Sequence, residues 1–424
     1  MKLLIKNVSI LTMQEEIIEN GFIGMEDGKI AYLGTKEPDG YESAYTIEGK
    51  NHVAMPPLVN AHTHSAMVLM RNYADDRELF DWLENAVFPV ENRMKDEDVY
   101  WASMLAAYEM IKSGTACFAD MYFSTRSTAR AVAQSGLRAN LNICVSGDVS
   151  DNPDMQDAMR FFDEYHNAEN GRILVSFAPH AIYTCSAELL QWCANMAAER
   201  GVRLHTHVAE TRKEYEDCMR EHGVTPTAYL NQLGVFDVST IAAHSLYLNE
   251  NDLDIYRRKG VTAVYNPTSN CKLASGINAI DRFLERGINV ALGTDGAASN
   301  NNLNLFEEMH LASLLTKGVA LDPCAVPADT ALRLATVNGA KALGFEGVGI
   351  LKTGNPADLI LIDLDKPHLY PMHDLKSAIV YSAQGSDVDT MICDGRILME
   401  KYEVKTLDFE QIKHHIDRSV DRLF

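Results

Sequence analysis

The middle of the sequence alternates between short apolar segments rich in β-branched residues and longer segments with helical character. The apolar segments span residues 53–61, 115–121, 139–145, 173–179, 202–208, 240–244, 261–266 and 289–293. Helix-like segments lie between most of them, for example residues 96–113, 127–134, 155–168, 187–199 and 277–285. Strands that alternate with helices in this number predict an α/β fold with a parallel (β/α)8 barrel of the TIM type. The alternative is a doubly wound open sheet, which we disfavour because no G-x-G-x-x-G motif follows an early strand.

Both ends of the sequence have the character of β structure. Residues 3–11 and 357–363 resemble strands, and Asp27-Gly28 and Asp394-Gly395 are strong hairpin-turn signals with apolar residues on both sides. Neither end has enough strands for a stable sheet of its own. We therefore predict one small β-sandwich domain built from residues 1–55 plus 350–424, and a catalytic barrel of residues 56–349 inserted between them.

The charge and cysteine content exclude several classes of protein. With 38 basic and 59 acidic side chains, the formal net charge is −21. Nucleic-acid binders and proteins attracted to anionic membranes need a basic surface, so we expect neither partner. No apolar run approaches the roughly 20 residues of a membrane helix, and charge interrupts the N-terminal segment too early for a secretory signal. None of the eight cysteines has C-x-x-C spacing, and reduced thiols are typical of the cytoplasm. We expect a soluble cytoplasmic protein.

Histidine or aspartate occurs at the ends of four predicted barrel strands. The C-terminal strand ends of such a barrel meet at one face, where catalytic groups lie. Alternate residues of a strand share a face, so the two histidines of an H-x-H pair can approach one metal ion. Imidazole and carboxylate suit zinc or ferrous iron, and a site that keeps room for water is catalytic rather than structural. The strand-end residues are His62, His64, His205, His207, His244 and Asp295, with Glu210 just beyond the fifth strand.

The segments that carry these residues resemble the amidohydrolase superfamily and, within it, the methylthioadenosine/S-adenosylhomocysteine deaminases. They are PPLVNAHTH at 56–64, THVAET at 206–211, AAH at 242–244, LGTDGAASNN at 292–301 and GNPADL at 354–359. The resemblance covers nearly the whole chain, including the β segments at both ends. It implies a metal-dependent hydrolase that removes an amino group from a nucleoside.

The resemblance implies that His62, His64, His207 and Asp295 bind one divalent metal, usually zinc, with ferrous iron as the alternative. A bound ion would lower the pKa of a water molecule towards neutrality. Asp295 would then take the water proton, His244 would polarise the water, and Glu210 would donate a proton to a ring nitrogen. His205 lies deeper in the barrel, and we interpret it as a packed histidine behind the site. The fourth apolar segment contains no lysine that could bridge a second metal, which favours one ion.

The resemblance also implies the substrate contacts. Glu91 corresponds to a carboxylate that binds the ribose hydroxyls, His180 to a histidine that contacts the nucleoside, and Trp82, with Phe88, to an apolar wall. The chain departs from the family where some members have arginines that bind the carboxylate of S-adenosylhomocysteine. Ile143 and Met155 occupy those places, and only the nearby Arg160 offers a substitute. Because an unpaired buried carboxylate is costly, we favour smaller 5′-substituted adenosines without excluding S-adenosylhomocysteine.

The sequence therefore predicts a deaminase of 5′-substituted adenosines, with 5′-methylthioadenosine, S-adenosylhomocysteine, 5′-deoxyadenosine and adenosine as candidate substrates. Two alternatives stay open. One is a deaminase or chlorohydrolase of another aminated heterocycle, such as guanine, a pterin or a triazine, for which a carboxylate that binds ribose would have no use. The other is a barrel that binds metal without catalysis, which we disfavour because a full set of water-activating groups is present. We expect a small-molecule nucleoside as the binding partner, and a homo-oligomer because relatives are commonly dimers or tetramers.

Overall fold

The computed structural model describes residues 2–14, 16–152 and 155–424, without the side chain of Met155. Its strands are β1 Leu3–Ile10, β2 Ile18–Glu26, β3 Lys29–Gly34, β4 Tyr45–Glu48, β5 His52–Met55, β6 Leu58–Thr63, β7 Thr115–Tyr122, β8 Arg138–Val145, β9 Ile173–Pro179, β10 Leu204–Val208, β11 Thr240–His244, β12 Thr262–Tyr265, β13 Val290–Leu292, β14 Leu359–Asp363, β15 Val388–Cys393, β16 Arg396–Glu400 and β17 Glu403–Val404.

Helices connect the strands of the central region and cover its outside. The α-helices of at least five residues are Asp96–Lys112, Thr125–Ser135, Met155–Tyr165, Ala187–Arg200, Arg212–His222, Pro226–Gln232, Glu250–Lys259, Pro267–Lys272, Asp281–Glu285, Leu305–Ala320, Ala328–Leu334, Val337–Leu343, Leu375–Tyr381 and Phe409–Leu423. Shorter helical segments are Leu79–Trp82, Leu83–Val87, which is a π-helix, Phe88–Glu91, Ala168–Gly171 and Ala297–Asn300. The 3-10 helices are Ser65–Met70, Val149–Asp151, Val235–Asp237, Pro367–Leu369 and Gly385–Asp387.

Strands β6 to β13 form one parallel sheet in chain order, with eight members. The first and last strands of this sheet meet at their C-terminal ends, where the Asp295 N–H donates to the carbonyl of His62 at 3.0 Å. The sheet is therefore a nearly closed barrel, and the predicted (β/α)8 fold is confirmed. All strand residues from β9 to β13, apart from Leu174, are buried, as expected for strands covered by helices on one side and by the barrel interior on the other.

The second sheet combines strands from both ends of the chain. Its order is β17-β16-β15-β14-β5-β1-β2-β3, with β4 beside β1. Both predicted hairpins are present, and their turn residues Asp27, Gly28, Asp394 and Gly395 have φ between 50° and 76°, as a type I′ turn requires. The join between the two ends is the antiparallel pair of β5 and β14. This sheet supports our proposed division into residues 1–55 plus 350–424 and residues 56–349.

The first predicted barrel segment, residues 53–61, is in fact two strands that belong to different sheets. Strand β5 ends at Met55 in the outer sheet, and β6 begins at Leu58 in the barrel. Pro56 and Pro57 lie between them, and proline lacks the N–H that continues a ladder. The apolar pattern runs through both strands because both are buried, so hydrophobicity alone could not reveal the break.

A buried ion pair joins the barrel to the outer sheet. Arg138, the first residue of β8, donates from Nε to Asp358 Oδ2 at 2.6 Å and from Nη2 to Asp358 Oδ1 at 3.1 Å. Its Nη2 also lies 3.2 Å from Asp394 Oδ1. Arg138 and Asp358 have only 4% and 3% of their surface exposed. Both ends of the contact are therefore shielded from water.

We expect Arg138→Met to destabilise the fold by about 3–5 kcal/mol, because it leaves the Asp358 carboxylate buried without its partner. The measurement is the free energy of unfolding in urea. The double variant Arg138→Met/Asp358→Leu is the matched control, since apolar replacement of both partners should restore most of the loss. A single variant as stable as the wild type would contradict this account.

Two findings bear on the expected environment of the protein. Among the described residues, no helix combines the length and the apolar character needed to cross a bilayer. All eight cysteines are free thiols.

Candidate active site

Four histidines and one aspartate from the strand ends converge at the mouth of the barrel. The ring of His62 lies 4.9 Å from those of His64 and His207 and 5.7 Å from that of His244, measured between centroids. Asp295 Oδ1 lies 3.4 Å from His62 Nε2 and 3.2 Å from His64 Nε2. Two sets, His62/His64/His207 and His62/His244/Asp295, each offer ligand atoms within 4.8 Å of one another.

The Nδ1 atom of each of these imidazoles contacts a neighbouring polar group, and this contact leaves Nε2 facing the centre of the cluster. His207 Nδ1 donates to the carbonyl of His180 at 2.7 Å, and His64 Nδ1 donates to the carbonyl of Met121. His62 Nδ1 lies 3.1 Å from His205 Nε2. His205 therefore packs behind the site and orients the His62 imidazole, in keeping with the position predicted from the sequence. Such contacts fix the tautomer in metal-binding histidines.

The donor set fits a divalent metal. His62 Nε2 is buried and makes no hydrogen bond of good geometry, which is costly unless a ligand binds there. Burial lowers the pKa of His62 to about 4, even beside Asp295, so its imidazole is neutral. In the tautomer with the proton on Nδ1, which faces His205 Nε2, the Nε2 lone pair is available to a metal. For His64, burial disfavours the charged form, but the neighbouring Asp295 carboxylate outweighs burial and the pKa rises to about 9. A metal that binds His64 would therefore displace a proton.

The backbone at the strand ends is bent so that these side chains point into the mouth. Ala209, His244 and Asp295 have φ of 50°, 69° and 62°, in the left-handed region that non-glycine residues seldom adopt. Gly293 precedes Asp295 by two residues, and a Cβ there would lie 2.8 Å from the carbonyl oxygen of His62. The small residue therefore allows β13 to approach β6 closely.

Hydrogen bonds hold the Asp295 carboxylate in one orientation. Its Oδ2 accepts from the hydroxyls of Ser269 at 2.7 Å and Ser299 at 3.2 Å. Its Oδ1 accepts from the backbone N–H of Gly296 at 2.8 Å and faces His62 and His64. Although burial opposes ionisation, these two imidazoles hold the pKa of Asp295 well below its usual range.

Glu210 and His244 form a second pair beside the cluster. His244 Nε2 lies 3.9 Å from Glu210 Oε1, and His244 Nδ1 lies 2.8 Å from Asn270 Oδ1. Glu210 is only 3% exposed, and this burial raises the pKa of its carboxyl. The pair therefore combines an oriented imidazole with a carboxyl that holds its proton more tightly than one in water.

A cavity of about 950 Å³ opens from the cluster to solvent. The predicted substrate residues Glu91, His180, Trp82 and Phe88 all line it. Glu91 lies at the end of the short helix Phe88–Glu91; burial raises the pKa of its carboxyl, and the hydroxyl of Tyr122 opposes that rise. Burial also lowers the pKa of His180 to about 3, so its imidazole is neutral. The cavity thus brings together the predicted site residues other than His62, whose ring lies 4.9 Å from those of His64 and His207.

A second cavity adjoins the first along Phe123, Cys144 and Val145. Ile143, one of the two positions that replace the family arginines, lines it. The other position, Met155, has its side chain outside the described residues. Arg160 is not among the residues that line either cavity; its side chain is 61% exposed and pairs with Asp157 at 3.2 Å. Arg126 lines the second cavity and pairs with Asp157 and Glu164, so both nearby arginines are engaged by carboxylates.

Sequence reasoning missed several residues that orient this site. They are Ser269, Ser299, Asn270, Tyr122 and Glu214, whose contacts run to Asp295, His244, Glu91 and the backbone of Glu210. The signal available for the first three was their place in the short helices Pro267–Lys272 and Ala297–Asn300, which follow the last two barrel strands. Their partners depend on how those helices are oriented over the barrel mouth, and neither residue type nor spacing specifies it.

Comparison with known proteins identifies the family. Residues 53–398 match the model of the amidohydrolase family. The chain belongs to the amidohydrolase family. Residues 2–45 match a second model, the BsNagA composite domain, in keeping with an outer sheet that precedes the amidohydrolase barrel.

Several amidohydrolases and related proteins are similar to the chain over its whole length. It is 47% identical to a 5-methylthioadenosine/S-adenosylhomocysteine deaminase of Thermoanaerobacter pseudethanolicus, covering 100% of this chain and 99% of the relative. It is 46% identical to a 5′-deoxyadenosine deaminase of Methanosarcina mazei, covering 99% and 98%. Its fold superposes on the crystal structure of an adenosine deaminase from Xanthomonas campestris with bound zinc, with a TM-score of 0.94, 31% identity and coverage of 99% and 98%.

Proposed function

We propose that this amidohydrolase is a metal-dependent deaminase that converts a 5′-substituted adenosine into the inosine analogue and ammonia. One observation carries the proposal: a single cavity contains a metal-binding cluster, the buried acid Glu210 and the buried carboxyl of Glu91. The names of full-length relatives, which refer to 5-methylthioadenosine, S-adenosylhomocysteine and 5′-deoxyadenosine, support the same chemistry.

We assign His62, His64, His207 and Asp295 as the residues that hold the metal, and we propose Zn²⁺, with Fe²⁺ as the alternative that the same donors accept. When bound, the ion acts as a Lewis acid and lowers the pKa of a water molecule. The zinc in the Xanthomonas campestris structure supports this choice. Free thiols, which are typical of a reducing cytoplasm, support a cytoplasmic site of action, and we propose a homo-oligomer.

The chain's own residues would move the protons. Burial raises the pKa of Glu210 and so favours its protonated form, from which it donates a proton to N1 of the purine and makes C6 more electrophilic. Asp295 accepts a proton from the attacking water, and the His244 imidazole, oriented by Asn270, holds that water by a hydrogen bond. Return of a proton to the exocyclic nitrogen lets it leave as ammonia. His180 and Trp82 form part of the wall against which the nucleoside packs.

The proposed activity is tested by incubating the purified protein with 5′-methylthioadenosine, 5′-deoxyadenosine, adenosine and S-adenosylhomocysteine. We expect the absorbance shift from adenine to hypoxanthine and release of one ammonia per turnover. Chelation should abolish turnover, and added Zn²⁺ or Fe²⁺ should restore it, because the ligand atoms in the cluster are brought together for a metal. No shift with any of these substrates at full metal occupancy would contradict the proposal and direct the assay to guanine, pterins and triazines.

Glu91 is expected to determine the preference for ribonucleosides. We expect Glu91→Gln to lower kcat/KM for 5′-methylthioadenosine by about 10–100-fold, the range for a lost hydrogen bond to a charged group. The same substitution should leave kcat/KM for 2′,3′-dideoxyadenosine unchanged, because that substrate has no diol to bind. Glu84→Gln, an exposed position in the same segment, is the matched control. An equal loss on both substrates would contradict a contact to the ribose.

A further inference from the structure

The peptide that presents Glu210 to the cavity has a strained backbone. Strand β10 ends at Val208, and Ala209 then adopts φ of 50°. A residue with a Cβ adopts this region only when surrounding contacts enforce it. Glu210 follows at once, so the direction of its carboxyl depends on whatever holds Ala209 in that conformation.

The carboxylate of Glu214 holds both N–H groups of this peptide segment. Its Oε1 accepts from the Ala209 N–H at 2.9 Å, and its Oε2 accepts from the Glu210 N–H at 2.7 Å. The Glu214 side chain belongs to the first turn of helix Arg212–His222, and the residue is only 2% exposed. One buried carboxylate therefore binds two consecutive N–H groups next to the proposed acid.

The carbonyl side of the same segment is held by the next strand end. The carbonyl of Ala209 accepts from the N–H groups of Leu246 at 3.1 Å and Tyr247 at 3.2 Å. The carbonyl of Val208 accepts from the Ser245 N–H at 2.9 Å. The neighbouring backbone thus binds the carbonyl groups of this segment, and Glu214 binds the N–H groups of Ala209 and Glu210.

These contacts differ from ordinary capping of a helix. In a capping box, a carboxylate at the third helical position binds the N–H of the capping residue, as Asp252 does with Asn249 at 3.0 Å. Helix Arg212–His222 is capped by Thr211, whose hydroxyl accepts from the Glu214 N–H at 3.1 Å. The Glu214 carboxylate passes this cap and binds the two residues that precede it.

We propose that Glu214 is a positioning residue, which fixes the Ala209–Glu210 backbone so that the Glu210 carboxyl points into the cavity beside His244. The proposal rests on the function assigned above, because it gives Glu214 its effect through the proton donor. Burial raises the pKa of Glu214 to about 7, and the two N–H donors oppose that rise. Because the folded protein disfavours the ionised form of Glu214, burying this carboxyl lowers the stability of the fold at neutral pH. This cost is consistent with a role of Glu214 beyond helix capping.

The test compares Glu214→Gln and Glu214→Ala with wild-type holoenzyme. Gln offers one acceptor oxygen in place of two, and Ala offers none. We therefore expect kcat for 5′-methylthioadenosine to fall about 10-fold in Glu214→Gln and about 100-fold in Glu214→Ala. Misplacement of a reacting group by about 1 Å can cause losses of this size. KM and metal content should stay near the wild-type values. A purely structural role would lower Tm without lowering kcat of the folded holoenzyme, and kcat within about twofold of wild type in folded Glu214→Gln would overturn the proposal.

Asp252→Asn is the matched control, because it weakens a buried carboxylate at the same helical position without touching Glu210. It should lower Tm and leave kcat unchanged. The crystal structure of Glu214→Ala gives a readout independent of turnover: Ala209 should leave the left-handed region and the Glu210 carboxyl should move. If wild-type holoenzyme deaminates no adenosine, the proposed function fails, and the structure alone decides the positioning: an unmoved Glu210 carboxyl would overturn it.

Discussion

Glu210→Gln is expected to lower kcat for 5′-methylthioadenosine by about 1000-fold, within the range for loss of a general acid. Glutamine preserves the size of the side chain but has no acidic proton to transfer to the purine ring. Glu210 is not assigned as a metal ligand, so metal content should equal that of the wild type. The measurement is kcat at saturating substrate, with metal determined on the same sample.

The pH dependence of kcat/KM in the wild type and in Glu210→Gln gives an independent check of the assigned acid. Because burial raises the pKa of Glu210, the proton donor is present at higher pH than an exposed glutamate would allow. Wild-type kcat/KM should therefore fall as pH rises through that raised pKa, and Glu210→Gln should lack this fall. Glu216→Gln, an exposed position two residues after Glu214, is the matched control and should behave as wild type. Unchanged turnover in Glu210→Gln at full metal occupancy would contradict the assignment of Glu210 as the acid.

Asp295→Asn is the second substitution with a large expected effect, also about 1000-fold in kcat, because an amide cannot accept the proton of water. The structure predicts how the amide will lie. Oδ1 accepts the N–H of Gly296 at 2.8 Å, so the oxygen should stay on that side, while the amide nitrogen takes the place of Oδ2. The hydroxyls of Ser269 and Ser299 can turn to accept from it.

The measurement for Asp295→Asn is kcat with excess Zn²⁺, together with the affinity for Zn²⁺, which should fall because a negative ligand has become neutral. Asp254→Asn, an exposed position on helix Glu250–Lys259, serves as the control for the loss of one carboxylate. If Asp295→Asn retains more than about a tenth of wild-type kcat at full occupancy, another group accepts the proton.

The architecture could be predicted from the sequence because its signals are local and repeated. Segments of apolar β-branched residues alternate with helical ones, and Asp-Gly turns mark both outer hairpins. The predicted domain boundary falls between residues 55 and 56, but the prediction of one barrel segment over residues 53–61 is wrong, because burial in two different sheets leaves one continuous apolar pattern. Pattern alone reports burial, and it does not report which sheet provides it.

The chemistry-bearing residues could be placed because a barrel collects its strand ends at one face. His62, His64, His207 and Asp295 therefore meet although they are far apart in the chain. The residues that orient them could not be placed from the sequence. Ser269 and Glu214 lie on helices, and their contacts depend on left-handed φ angles at Asp295 and Ala209, which residue type does not predict. The sequence offers Arg160 as a partner for a substrate carboxylate, but its helix directs the side chain to Asp157 and solvent. Side-chain direction on a helix depends on packing that spacing does not specify.

The pairing of β5 with β14 has a consequence for how the molecule is made. Strand β5 ends at Met55, and its partner begins at Leu359, so the ribosome must synthesise the entire barrel before the outer sheet can be completed. Until then, one edge of β5 presents unpaired backbone groups, which is the usual starting point for strand-mediated aggregation. Shortening the chain before Leu359 would make that exposure permanent, even though every residue of the proposed metal-binding cluster would already be present.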